Sequence, residues 1–121
     1  MASSDTEQQQ SKIGIKKVGA SSVIDPGKSI TYQNCQELED LIKRLVGENQ
    51  TRIILDCKNT SFMDSKVLEL LLQLHKELKN RGGAIKITGL NAVCRDILLS
   101  TRLINVLFVY EDIAEALRSY P

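Results

Sequence analysis

The polar and apolar positions of this chain change period several times, and each change marks an expected element. Residues Met1 to Ser11 (MASSDTEQQQS) hold almost nothing apolar. They bury too little to offset the entropy of ordering, so a disordered tail is expected over 1–11 and a folded domain over 12–121. Ile13 to Val18 alternates loosely, and Lys16 and Lys17 suit an exposed edge strand. A second short strand, Ser22 to Ile24, ends at the turn signal Asp25-Pro26-Gly27. From Asn34 the spacing becomes three and four: Leu38, Leu41, Ile42 and Leu45 share one face, with charged residues between them. That predicts an amphipathic helix capped by Asn34 and closed by Gly47.

Arg52, Ile53, Ile54, Leu55, Asp56 and Cys57 read as a central strand covered on both faces. After the polar loop Lys58 to Ser61 and the junction Phe62 to Ser65, a long helix is expected from Lys66 to Asn80, stopped by Arg81-Gly82-Gly83. Ala84 to Thr88 alternates as a strand, and Asn91 can cap a helix through Leu99. Leu107 to Tyr110 makes a last strand, and Asp112 to Tyr120 a last helix with Ile113, Ala116, Leu117 and Tyr120 on one stripe. Three βα units in line predict an α/β fold: a mostly parallel sheet of about four to five strands, right-handed crossovers and an N-terminal edge strand.

Composition narrows the function. In 121 residues, 42% hydrophobic, 16 Lys and Arg oppose 15 Asp and Glu, so no broad basic field exists for nucleic acid. No segment approaches a membrane span or a signal peptide, which points to the cytoplasm. Cys35, Cys57 and Cys94 are widely spaced and His75 is the lone histidine. Neither a disulfide framework nor a metal site is expected from them; the cysteines read as buried small hydrophobes, and His75 as a surface or neighbour-packed residue. Asp56 and Asp64 flank the end of the central strand, where open α/β sheets often bind ligands. Yet no GxxxxGK[ST] or GxGxxG occurs, so no cofactor and no catalytic set are assigned.

The stripe Val67, Leu71, Leu74 and Leu78 is widened by Leu68, Leu70 and Leu72. Either the helix is deeply buried, or Leu68 and Leu72 are left partly exposed for docking. The stretch from Ile53 onward, IILDCKNTSFMDSKVLELLLQLHKELKNRGGAIKITGLNAV, resembles the STAS domain of bacterial anti-sigma factor antagonists. The strand ending in LD, the junction SFMDS, the leucine-rich helix and the RGG-strand carry the resemblance, while Ile13 to Asn34 matches loosely. Lys66 and Val67 stand where the family continues with serine and glycine, Arg102 where its turn has glycine, and Thr31 where an acidic residue is common.

The resemblance implies a non-enzymatic domain that binds an anti-sigma factor with serine-kinase activity, and by position in SFMDS it makes Ser65 the phosphoacceptor. The implied partner-binding region is Asp64 to Leu72, with Asp64, Ser65, Lys66, Leu68 and Leu72 as its contact residues. It implies transcription regulation in a bacterial cytoplasm without direct nucleic-acid contact or membrane insertion, and it leaves room for a weak homodimer. From the residues alone, Ser65 or Asp64 is an N-cap. The alternative function is a constitutive STAS adaptor in a larger assembly, such as a lipid-transport ATPase complex, in which Ser65 is never phosphorylated.

Overall fold

The computed structural model describes residues 13–103 and 106–119. The tail expected over Met1 to Ser11 and the Tyr120 end of the last stripe lie outside them. In chain order the described elements are β1 (Gly14–Val18), β2 (Ser21–Asp25), β3 (Ser29–Ile30), α1 (Cys35–Gly47), β4 (Arg52–Asp56), β5 (Phe62–Met63), α2 (Ser65–Lys79), β6 (Ala84–Thr88), α3 (Ala92–Ser100), β7 (Phe108–Tyr110) and α4 (Ile113–Arg118).

Five strands form one sheet in the order β1-β2-β4-β6-β7, which places β4 at its centre and β1 at its edge. β1 and β2 are an antiparallel hairpin, Gly14 opposite Asp25 and Val18 opposite Ser21. Gly19, at φ 61°, supplies the left-handed residue its tight loop needs. The remaining pairs are parallel, so α1, α2 and α3 serve as the crossovers between them.

Alternation along the strands sorts the core into two layers. Ile24, Ile53, Leu55, Ile85 and Ile87 meet Leu38, Ile42 and Leu45 of α1 and the leucines of α2 in the main cluster. Between them, Val23 and Ile54 face the other way, onto Ala116 of α4. The apolar run of β4 is therefore explained: both of its faces are covered.

Several expectations are corrected. The strand expected over Ala84 to Thr88 is present as β6, and its polar members Lys86 and Thr88 are both buried, because α4 covers their face. Lys86 Nζ hydrogen-bonds Ser119 Oγ at the C-terminal end of α4 and lies 5.5 Å from the centroid of Tyr110. Burial, and secondarily the charge of Arg52, lower the Lys86 pKa from its ordinary value. Gly47 is the last helical residue of α1 and does not make the reversal after it. The reversal is made by Asn49 at φ 62°, with Gln50 N donating to Leu45 O at 2.8 Å. Nor does the Asn34 side chain cap α1: its Oδ1 accepts from Thr31 N at 2.7 Å and its Nδ2 donates to Ser29 O, so it closes the turn before the helix. Of the two places expected for His75, surface or packed against a neighbour, the second is found. The residue is 2% exposed, its Nδ1 accepts from Ile85 N at 3.2 Å, and its ring meets Phe108 edge-on at 5.3 Å. Cys57 and Cys94 are buried, as expected, but Cys35 is only half-buried, at the exposed start of α1. None of the three is in a disulfide.

A second, two-stranded sheet escaped the sequence pattern. β3 and β5 pair in parallel, Ser29 beside Phe62 and Ile30 beside Met63. This pair ties the segment before α1 to the segment before α2, and so sets the surroundings of the α2 head.

Candidate protein-interaction site

The chain leaves β4 at Asp56 and is held at each step on its way to α2. Thr60 Oγ1 donates to Gly27 O at 2.7 Å, Ser61 N to Lys28 O at 2.7 Å, and Asn59 Nδ2 to Asp25 Oδ2 at 3.0 Å. From the far side, Asn91 Nδ2 donates to Ser61 O at 3.1 Å, while its own Oδ1 caps α3 by accepting from Cys94 N at 2.8 Å. These bonds span three separate loops, so the junction is positioned by the sheet around it rather than by its own sequence.

Asp64 is the N-cap of α2, and each of its carboxylate oxygens has a distinct donor. Oδ1 accepts from Val67 N at 3.0 Å, and Oδ2 accepts from Tyr32 N at 2.9 Å. The choice left open between Asp64 and Ser65 as cap is thus resolved: Ser65 is the first helical residue, and its side chain is exposed. A hydroxyl there stands beside the unpaired N–H groups of the first turn and the positive end of a 15-residue helix. This environment suits an anion.

The other expected contact residues divide. Lys66 is exposed and Leu72 is half-buried, on the same helix as Ser65. Leu68 is 1% exposed and sits in the main cluster, so the docking role expected of it is corrected: the side chain faces the sheet and presents nothing to a partner. Val67, in the place of the family's glycine, is also fully buried and anchors the first turn to the core. Sequence reasoning missed two exposed aromatics on the segments adjoining the cap. Phe62 is 43% exposed on β5, and Tyr32 is 68% exposed on the turn that Asp64 holds. Their identity as aromatics is readable, but it is the β3–β5 pair that brings the Tyr32 turn to the cap of α2.

Asp56 is buried, with Oδ1 accepting from Lys58 N at 3.2 Å, so both acids at the strand end are engaged with backbone N–H groups. Burial raises the Cys57 and Cys94 pKa values above the ordinary thiol range and keeps both protonated. Among the described residues, no group of three or more His, Cys, Asp or Glu side chains could hold a metal ion, and no helix is long and apolar enough to cross a membrane. A cleft of about 620 Å³ lies beside the Tyr32 turn, lined in part by Pro26, Lys28, Ile30, Thr31, Asn34 and Glu37.

Solved structures share this architecture at low identity. The Thermotoga maritima protein TM1081 superposes with a TM-score of 0.83 at 19% identity, over 92% of this chain and 96% of that one. An anti-sigma factor antagonist from Mycobacterium paratuberculosis gives 0.80 at 18%, over 89% and 92%. The Bacillus cell fate determinant SpoIIAA in its phosphorylated form gives 0.69 at 19%, over 90% and 99%. Among curated proteins, none matches the sequence. The family model of the STAS domain matches residues 12–116. With this match spanning the sheet, its crossovers and the head of α2, the chain belongs to the STAS domain family.

Proposed function

We propose that this domain is a regulatory protein-binding module of the anti-sigma factor antagonist kind, whose partner is an anti-sigma factor with serine-kinase activity. The observation that supports it best is Ser65 itself: an exposed hydroxyl on the first residue of α2, next to a cap that is already supplied by Asp64. A serine needed for capping would point its oxygen at the helix. This one is free to be modified without loss of the cap.

The contact face consists of Asp64, Ser65, Lys66 and Leu72, extended by Phe62 and Tyr32. A phosphate on Ser65 adds about −1.5 to −2 charges beside the Asp64 carboxylate and inverts the local potential, which weakens the contact. Likeness to both the unphosphorylated and phosphorylated forms of SpoIIAA is in keeping with this reading.

The test is to measure binding of Ser65→Ala and Ser65→Asp to the kinase-type anti-sigma factors of the source organism, together with mass spectrometry of Ser65 after incubation with kinase and ATP. Ser65→Ala should bind like the parent, Ser65→Asp should bind more weakly, and phosphate should appear on Ser65. Because Asp64 holds the cap, neither substitution is expected to lower stability by more than a few tenths of a kcal/mol, as for other exposed positions. Equal binding by both variants, with no phosphate on Ser65, would instead favour the constitutive adaptor.

A further inference from the structure

We infer that Asp64 is a clasp through which a phosphate on Ser65 releases the Tyr32 turn, so that modification at the head of α2 remodels a second segment of the face. The inference rests on Ser65 being the modified residue. Its basis is the division of one carboxylate between two elements: Oδ1 holds Val67 N of α2 at 3.0 Å and Oδ2 holds Tyr32 N at 2.9 Å.

The turn is otherwise held by bonds within residues 29–35, among them Asn34 Nδ2 to Ser29 O at 3.0 Å. Thr31 N donates to Asn34 Oδ1, while Asn34 N and Cys35 N both donate to Thr31 O, at 3.1 and 2.8 Å. None of these bonds uses the Tyr32 N–H, so its bond to Asp64 can open while residues 29–35 keep their own hydrogen bonds. A phosphate on Ser65 brings several acceptor oxygens and a second negative charge to the first turn of α2. It competes for the first-turn N–H groups and repels the Asp64 carboxylate. Of the two donors to Asp64, Val67 N is held in place by a buried side chain, whereas Tyr32 N lies on a residue open to water, which can replace the lost acceptor. The carboxylate turning away from the phosphate thus gives up Tyr32. The exposed Tyr32 is then no longer tied by its backbone to the head of α2, and the face changes in shape as well as in charge.

Amide hydrogen exchange followed by NMR reads this directly. Three chains are compared: the parent, Asp64→Ser, and a chain carrying phosphoserine incorporated at Ser65 during translation. Serine can still cap α2 but offers one oxygen where Asp64 offers two. The Tyr32 amide should exchange at least threefold faster in Asp64→Ser and in the phosphorylated chain, while Leu71 in the body of α2 keeps its protection and so reports an intact helix. Unchanged Tyr32 exchange in either chain, with Leu71 still protected, overturns the inference. Should Asp64→Ser unfold the head of α2, Asp64→Asn serves in its place, because with its oxygen at the Oδ1 position capping α2, an amide nitrogen that accepts nothing stands where Oδ2 met Tyr32 N. Since the phosphate is installed without a kinase, failure to find a kinase or a partner would sink the proposed function and leave this measurement standing by itself.

Discussion

Gly82 and Gly83 look interchangeable in the sequence, as a pair that stops a helix, yet the structure gives them different tasks and predicts different costs. Gly82 lies at φ 81° with open space where a Cβ would go, so alanine there meets only the left-handed penalty of about 1–2 kcal/mol. Gly83 has no such angle, but an alanine Cβ would fall 2.0 Å from Thr51 O and 2.5 Å from Thr51 Cβ. The first contact is with backbone, at a point where Ala84 N donates to Thr51 O at 3.0 Å and Gly83 N donates to Leu78 O at 2.8 Å. Moving apart by the ångström or more required would break the start of the β4–β6 ladder, where Arg52 pairs with Ala84. Gly83→Ala should therefore cost about 3 kcal/mol, at the upper end of overpacking. For a domain of this size that lowers the thermal midpoint by about 12 °C, against about 6 °C for Gly82→Ala. Differential scanning fluorimetry supported by urea titration gives both numbers. A Gly83→Ala midpoint within about 2 °C of the parent, or a larger loss at Gly82, would refute the close-approach argument.

Leu71→Ala should lose about 2–5 kcal/mol in urea unfolding, because the side chain is fully buried in the main cluster. Leu68→Asp should abolish the cooperative transition seen by circular dichroism rather than merely weaken binding, since it would place an unpaired charge in that same cluster. Arg102 occupies the left-handed region at φ 63°, where the family's turn has glycine, so Arg102→Gly should raise stability by about 1 kcal/mol in the same urea assay. Burial first, and then the charge of Lys79, lower the His75 pKa from 6.5. The unfolded chain consequently binds the proton more tightly, so this contribution to stability is complete above about pH 6.5 and is lost as pH falls through that value towards the lower folded pKa. The urea midpoint should drop between pH 7.5 and pH 5.5, and His75→Gln should reduce that drop.

How much of this was legible in the residues can be traced element by element. Periodicity sufficed wherever an element was long and one-sided: the stripes of α1 and α2, the apolar run of β4 and the lysines of the β1 edge each carry their own burial in their spacing. It failed where a partner from elsewhere in the chain decides. β3 and β5 have two residues each, too few to show a period, and exist because they pair with one another. The alternation of Ala84 to Thr88 does not tell whether Lys86 meets water, and it is buried because α4 returns across that face of the sheet. His75 looked like a flank residue until Ile85 N and Phe108 met it from β6 and β7.

The candidate site divides in the same way. That an acid and a serine stand at the start of a leucine-rich helix after a buried strand follows from neighbouring residues alone, since local pattern and capping chemistry are short-range. Tertiary structure alone decided that Asp64 is the cap and Ser65 the exposed hydroxyl, that Leu68 belongs to the core, and that Tyr32 hangs from the second oxygen of Asp64, 32 residues away in the chain. The reason is physical: a carboxylate has two oxygens, the helix uses one, and which distant N–H takes the other depends on where the fold brings the chain back.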